Sequence, residues 1–464
     1  MSFRSIVAVV VAKIAILALR LSGRGGSTLP GRIARGISPH VLEELGRRHS
    51  RGNVVISGTN GKTTTAKMIS VIVSKAGFRP AHNRTGANLI YGIISEFARQ
   101  ASLYGAMPAD IGLAEVDEAT MPAVCRELRP EVAVVTNFFR DQLDRYGELE
   151  TTVSLVRKGI QAMPEGAVAV LNADDPFAAG LAEGTQLRTI FFGIDDPSLG
   201  HEERAQVADI KRCPVCGSEY EYDAVYYAHL GSYRCPSCGR SRPDLHVRLV
   251  SYEPRGARGS RLGIVAPEGR LEVSLRIPGI YNAYNALAAT ACGLVLGVPL
   301  TIINEALEEF TSSFGRMELI EIGAKSAFIA LVKNPTGFNE VIRTLLEGEE
   351  RKRLVIAIND RYADGRDVSW LWDVDFERLA GRQQSIDFVV ASGIRAQDMA
   401  VRLKYAGLDQ RLIRVTGDLG RAIRAGLDAT PEGEVLYVLP TYTAMLEIRD
   451  VFRAMGYARP FWEV

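Results

Sequence analysis

Residues 53–76 read NVVISGTNGKTTTAKMISVIVSKA, and this segment restricts the chain's possible folds more than any other. A short apolar run ends in a loop with glycines at 58 and 61, and an amphipathic pattern starts at Lys62 and Thr63. Glycines let backbone N–H groups curl inward, a lysine supplies charge to outer phosphates, a threonine hydroxyl can ligate Mg²⁺, and the following helix turns its positive end toward an anion. The general G-x-x-x-x-G-K-[ST] fingerprint would put glycine at position 56, where this chain has Ile56, so a fortuitous turn is the alternative. A GKT set between an apolar strand and an amphipathic helix favours the nucleotide site.

The neighbouring segments repeat the same rhythm. IGLAEV (111–116), VAVVTN (132–137) and AVAVLN (167–172) are uniformly apolar, as parallel strands covered on both faces should be. They predict an α/β doubly wound domain. Residues 205–246 interrupt it with Cys, Pro, Gly and Tyr and read as an insert. Strand-like LHVRLVSYE and RLEVSLRI follow, then the helix-rich NAYNALAATACGLVLG. A second α/β unit begins near 325, with strand candidates AFIALV, RLVIAIN, IDFVVASG and EVLYVLP. The expected organisation is an N-terminal helical segment (1–50), an ATP-binding domain (51–320) holding the insert, and a C-terminal α/β domain (321–464).

The 464 residues, 47% of them hydrophobic, suffice for two or three ordinary cores. Lys plus Arg is 55 against 54 for Asp plus Glu, so no overall field favours nucleic acid or anionic membrane. The N-terminus, MSFRSIVAVVVAKIAILALRLSGRGG, imitates a signal peptide, but its uncharged run Ser5 to Ala12 stops at Lys13. That is too short to span a bilayer. A packing helix ending at residues 23–26 is expected, with a helix lying on the membrane surface as the alternative.

Magnesium beside a phosphate loop needs carboxylate oxygen, and Glu115, at a strand end where ligands gather, is best placed; Asp117 and Glu118 follow in the same loop. Of six cysteines, Cys213, Cys216, Cys235 and Cys238 form CPVCG and CPSCG, two C-x₂-C pairs with 18 residues between them. Four thiolates in two glycine-terminated turns suit a closed, structural tetrahedral Zn²⁺ site, with disulfides or iron as alternatives. A secreted disulfide scaffold would be shorter and richer in cysteine, so a reducing cytoplasm fits better. Cys125 and Cys292 read as core.

Taken together, GTNGKTTT, EVDE, TNFFRDQLDRYG, LNADDP, PGIYNAYNALAA and SFGRME fall in the order and spacing of the Mur ligase family, which this chain resembles. That family's loop reads G-T-N-G-K-T, so Ile56 is no defect. The resemblance implies that Gly58, Thr59, Asn60, Gly61, Lys62, Thr63 and Thr64 hold ATP phosphates, and that Thr63 and Glu115 hold Mg²⁺. It further implies that Asn282 lies beside adenine and that Arg316 contacts ATP. The implied chemistry is phosphorylation of a carboxylate to an acyl phosphate, which an amine attacks. Where the family often has D-H-L-D, this chain has Asp141-Gln142-Leu143-Asp144, which weakens a second magnesium site. Lys158 lies near the position where some members carbamylate a lysine, with a solvated helix lysine as the alternative.

The inserted Cys₄ ribbon and the C-terminal segments NPTGFNEVI, INDRYADGRDVSWLWDVDFE and LPTYTAMLEIRD resemble an amidating branch of that family. Its members are synthetase subunits of lipid II isoglutaminyl synthase. The D-Y-A-H element of amino-acid-adding members is replaced by ALVKNP (330–335), which argues against an amino-acid acceptor such as that of folylpolyglutamate synthase. The resemblance implies amidation of the D-isoglutamate α-carboxylate of lipid II. Neither Cys125 nor Cys292 has the neighbours of a glutaminase nucleophile, so glutamine hydrolysis is expected of a partner, and the resemblance implies that this partner is a GatD-type glutaminase. That partner's Cys and His would take a third, acidic member from this chain. Asp360, Asp364, Asp367, Asp373 and Asp375 are the candidates, and Asp373, next to Trp372 and near Trp370, is preferred. A non-catalytic binding module is the remaining class. The ribbon's Lys211, Arg212, Arg234, Arg240 and Arg242 are offset by Glu219, Glu221 and Asp223, so nucleic acid is not expected as a partner, and membrane contact would be peripheral.

Overall fold

A computed structural model describes residues 1–21, 28–83, 87–139, 149–200, 212–311, 316–348 and 350–457, apart from the side chains of Arg20 and Arg316. The chain divides into two compact units. The first comprises Met1–Ser251, Leu262–Val273 and Asn282–Phe310; the second comprises Tyr252–Arg261, Ser274–Tyr281 and Thr311–Val464. The division thus begins its final segment at Thr311 and also takes in strand ends near 252 and 274, besides the residues beyond 320.

Three helices lead the first unit: α1 (Phe3–Leu21), α2 (Leu29–Ile37) and α3 (Val41–Gly46). Ala8, Val9, Ala12, Ala34, Val41 and Leu42 of this segment are fully buried in the core of the first unit. The sheet strands are β1 (Asn53–Ser57), β2 (Pro80–His82), β3 (Ile111–Glu115), β4 (Val132–Val135), β5 (Val168–Asn172) and β6 (Arg188–Ile194). After the hairpin β7 (Glu221–Tyr227) and β8 (Leu230–Arg234) come β9 (Val247–Pro254), β10 (Ser260–Ala266) and β11 (Gly269–Leu275). The nine-stranded order is β11-β10-β9-β6-β5-β4-β1-β3-β2. From β2 to β9 every neighbouring pair is parallel. All residues of β1, β3, β4 and β5 are buried, which accounts for their unbroken apolar runs. Helix α4 (Lys62–Lys75) leaves the end of β1, α5 (Ile90–Gln100) packs under α2, α6 (Met121–Leu128) precedes β4, and α7 (Leu149–Gln161) precedes β5.

The hairpin β7–β8 is antiparallel and separate from the large sheet. Tyr220 and Tyr233 are buried behind Cys213 and Cys235, forming a small core of its own. Helices α8 (Ile280–Val295) and α9 (Leu300–Glu309) close the first unit.

The second unit is a six-stranded sheet of order β12-β13-β17-β14-β15-β16. Its strands are β12 (Arg316–Ile322), β13 (Lys325–Ala330), β14 (Lys352–Ala357), β15 (Ile386–Ser392), β16 (Ile413–Thr416) and β17 (Val435–Pro440). Only β12–β13 is antiparallel. Helix α10 (Pro335–Leu346) follows β13, and α11 (Ala396–Tyr405) follows β15.

Candidate functional site

The loop at the end of β1 closes where the sequence places it. Gly58 has φ +121° and Gly61 φ +87°, a region that side-chain-bearing residues seldom adopt. A Cβ at Gly58 would come within 2.4 Å of Thr136 Oγ1, and one at Gly61 within 2.2 Å of Asn285 Oδ1. Two segments remote in sequence therefore press on the loop. From the end of β4, Asn137 Oδ1 accepts from Asn60 N at 2.9 Å, and Asn137 Nδ2 and Thr136 Oγ1 donate to Asn60 O at 3.1 and 2.7 Å. Thr59 Oγ1 donates to Phe139 O at 3.2 Å, and Phe139 N lies 3.1 Å from the same hydroxyl. From α8, Asn285 Oδ1 accepts from Thr65 Oγ1 at 3.2 Å, while its Nδ2 donates to Asn282 Oδ1 at 3.1 Å. Asn282 is thus tied through one side chain to the loop.

Lys62 Nζ donates to Gly58 O at 2.5 Å and Thr59 O at 3.3 Å, and pairs with Glu118 at 3.0 Å. Glu118 is the loop acid that meets the lysine, whereas Asp117 caps a short turn through Ala119 N. Glu115 stands beside Ile56 in the β1–β3 register, and Val116 N donates to Ile56 O, so the carboxylate is carried at the carboxyl end of the strand flanking the loop. Its backbone is clamped on both sides by Asn83. Glu115 Oε2 and Thr63 Oγ1 are both buried, and neither makes a hydrogen bond among the described residues. Buried oxygens left unpaired are costly unless a ligand takes them, so these two fit a hard cation. The segment Asp141 to Asp144 lies outside the described residues. Lys158 is exposed in the last turn of α7.

LNADDP supports the loop from beneath. Asn172 Nδ2 donates to Thr136 O at 2.9 Å, and Asp175 Oδ2 accepts from Phe138 N at 2.7 Å. Asp174 is fully buried and takes Arg242 at 3.1 Å, Tyr284 Oη at 2.7 Å and Ile194 N at 2.8 Å. Burial outweighs these partners and pushes its carboxyl up to about 6. Arg242 belongs to the ribbon, and Gly231 N of its hairpin donates to Asp174 O at 3.0 Å. The hairpin also lays His229 and Tyr227 against Phe139, with ring centres 4.8 and 5.0 Å apart.

The ribbon's four sulfurs lie within 4.8 Å of one another, with Cys213–Cys238 at 3.6 Å and Cys216–Cys235 at 3.4 Å. None is in a disulfide. A tetrahedron with Zn–S near 2.3 Å has sulfurs about 3.8 Å apart, so the thiols fit zinc after small shifts. The two turns share one design: Gly217 N donates to Cys213 O and Gly239 N to Cys235 O, and the glycines have φ +75° and +76°. Arg234, Arg240 and Arg242 are paired with Glu221, Glu183 and Asp174, leaving no open basic face among these three. Cys125 and Cys292 are fully buried, and burial pushes both thiols up to about 12, as inert core residues.

In the second unit Arg316 opens β12. The five candidate acids separate cleanly. Asp360 pairs with Arg395 at 2.7 Å; Asp364 is buried and accepts from Thr443 N and Oγ1 at 2.7 and 2.5 Å. Asp367 caps Ser369, and Asp375 pairs with Arg378 at 2.7 Å. Asp373, at the end of a 3₁₀ turn (Ser369–Asp373), is exposed and has no hydrogen bond or ion pair among the described residues. Trp372 beside it is also exposed and packs on Tyr405 at 5.8 Å, so the indole stands in solvent instead of shielding the acid. Trp370 faces inward toward Phe338.

Residues 56–221 match the family model of the Mur ligase middle domain, and residues 331–445 that of the MurT ligase C-terminal domain. The chain is 35% identical to the lipid II isoglutaminyl synthase (glutamine-hydrolyzing) subunit MurT of Staphylococcus aureus strain N315, over 94% of this chain and 95% of that one. Identity to the subunit of the same name from Streptococcus pneumoniae strain R6 is 33%, over 94% of each. The fold is similar to that of the MurF ligase from Thermotoga maritima in complex with ADP, with TM-score 0.65 at 16% identity over 91% of this chain and 84% of that one. Architecture and phosphate loop are therefore those of the Mur ligases, a class of ATP-using enzymes. Within that class the chain belongs to the MurT family.

Proposed function

We propose that this protein is the synthetase subunit of a glutamine-dependent amidotransferase, converting the D-isoglutamate α-carboxylate of lipid II to D-isoglutamine during peptidoglycan synthesis. The γ-phosphate of ATP passes to a carboxylate oxygen, ammonia attacks the acyl carbon, and inorganic phosphate leaves with that oxygen. The observation that carries this reading is an intact Mur-type loop in one chain with a MurT-type C-terminal domain.

Gly58 to Thr64 hold the phosphates through backbone N–H groups, and Lys62 exchanges Glu118 and the loop carbonyls for phosphate oxygens. Thr63 and Glu115 offer Mg²⁺ the two unpaired oxygens; the ion would neutralise phosphate charge. Asn282 borders the nucleotide and Arg316 contacts ATP. Zinc in the four cysteines holds the ribbon rigid. Asp373 orients the catalytic His of a GatD-type glutaminase partner, the role left to it because the other four acids are already engaged.

Purified chain supplied with ATP, Mg²⁺, lipid II and ammonium chloride should form the amide without glutamine. Glutamine should support the reaction only when the glutaminase subunit is added. Absence of amide with ammonium would sink the proposal.

A further inference from the structure

Over its first three turns helix α1 packs mainly small side chains inward, with Ile16 and Leu19 half-buried further along the same face, and it turns a second row of large apolar side chains outward. Ser5, Ala8, Val9 and Ala12 are fully buried, whereas Phe3, Ile14, Leu17 and Leu21 are 80%, 61%, 59% and 81% exposed. With half-buried Val7 and Val10, the outward residues recur at alternating steps of four and three. At 3.6 residues per turn they stay within about 80° of arc, opposite the buried face. A helix recruited only for packing would bury the large residues, so this stripe has a use outside the first unit's core. At its N-terminal end the loop after α5 adds exposed Leu103 and Tyr104, and the Gly105 of that loop abuts Met1.

Charge identifies what covers the stripe. Residues 1–42 hold six basic side chains and no acidic one, so the remaining chain, with 49 basic against 54 acidic, is net −5. The near-neutral total conceals a positive end. Arg4 is exposed on one flank of the stripe, and Lys13, half-buried with its Nζ donating to Arg99 O at 2.7 Å, lies on the other; an in-plane helix places such flanking cations at headgroup level. Among the described residues no helix is long and apolar enough to cross a membrane. A seam between two copies would show the same alternation of steps, but its flanks would need both signs of charge to pair; here two copies would face each other with cations only.

We propose that α1 docks this protein on an anionic phospholipid surface, its outward stripe sunk among the acyl chains and its basic flanks among the headgroups. The helix lies in the plane of the membrane and holds the first unit against it. The inference stands apart from the reaction, although a lipid-linked substrate would be met at the same surface.

The full chain should co-sediment with vesicles of phosphatidylglycerol and phosphatidylcholine, more weakly with phosphatidylcholine alone, and less as salt rises. Ile14→Glu with Leu17→Glu, both on the exposed face, should cut binding at least tenfold and leave the thermal melt and ammonium-dependent amidation in detergent unchanged. Arg4→Ala should weaken binding about fivefold. Failure of the native chain to bind anionic vesicles overturns the proposal, as does binding that survives the double substitution. A native dimer that the double substitution dissociates, without vesicle binding, overturns it in favour of a second copy. None of these results touches the amidation assay, so each proposal fails by itself.

Discussion

The phosphate loop and the turn that carries Asp373 are built on opposite plans. Around the loop, Thr136, Asn137, Phe139 and Asn285 engage Thr59, Asn60, Gly61 and Thr65, so the geometry is set within one unit. Around the turn, Asp360, Asp364, Asp367 and Asp375 hold the backbone and neighbouring arginines, and the fifth acid is left to solvent. A site finished inside its own chain can act alone, whereas a lone exposed carboxylate acts only on something brought to it. Removing one site should therefore stop the reaction whatever the nitrogen source, and removing the other should stop it for one source alone.

The largest expected effect comes from Lys62→Ala, which removes the cation facing the transferred phosphate. Amide formation should fall about 10³-fold with ammonium and with glutamine alike, as loss of a charge-stabilising donor does elsewhere. Retention of full activity would make the nucleotide a regulatory ligand.

Asp373→Asn should lower the glutamine-dependent rate about 10²-fold and leave the ammonium-dependent rate of the same sample unchanged, because the amide keeps the shape but not the charge that orients a histidine. Asp364→Asn separates this from simple unfolding: it removes the charge and one of the two oxygens that accept from Thr443 and Arg361 N, and should lower the melting temperature while affecting both nitrogen sources together. If both rates fall equally in Asp373→Asn, the acid belongs to the chain's own stability and the contrast between the two regions collapses.

Zinc removal tests whether the loop is as self-contained as it looks. The hairpin presses His229 and Tyr227 onto Phe139, and Phe139 backbone atoms hold the Thr59 hydroxyl, so ribbon order is transmitted to the loop by two contacts. Stripping the metal with a thiol-reactive mercurial, or replacing Cys235 by Ser, should weaken ATP binding about tenfold by calorimetry, a size typical of lost metal-site support. Unchanged affinity would reduce the ribbon to an independent appendage.

Sequence reveals these regions unequally for a physical reason. The loop is contiguous, and its glycines and lysine are legible because one turn of backbone needs them all. Its supports come from Asn137, Asp175 and Asn285, polar residues that the sequence offers only as members of motifs; what each holds becomes visible when the sheet order β5-β4-β1 brings the first two to the loop. Glu118 was legible only as a loop acid. Central strands announced themselves by unbroken apolar runs; β2 has three residues and begins with proline, β16 has two exposed positions, and β12 is an alternating edge strand, so none carried that signal. The sequence favours Asp373 for its neighbouring tryptophans, one of which is exposed in the fold; what distinguishes it there is that the other four acids are engaged. For α1 the apolar content is plain in the sequence, but which side faces the core, with Ser5, Ala8, Val9 and Ala12 inward, is set by packing against the first unit.

The smallest effect concerns how firmly the acid turn is seated. Phe338 of α10 meets Trp370 and Phe376 beneath the turn, and two residues along the same helix Glu340 is buried with Arg343 at 3.8 Å. Burial raises the Glu340 carboxyl to about 7, the arginine only partly opposing it. A carboxyl whose folded pKa exceeds the unfolded value of about 4.3 binds a proton more tightly when folded, so its contribution is full below pH 4 and disappears as pH rises through 7. Between pH 6 and pH 8 the loss should be about 1 kcal/mol. Denaturant melts across that window should show it, and Glu340→Gln, which keeps the neutral shape, should flatten the slope. Asp174, in the first unit, shares this sign with a carboxyl pushed up to about 6, and burial also raises Glu347, so a slope unchanged in Glu340→Gln would move the pH sensitivity from Glu340 to these carboxyls.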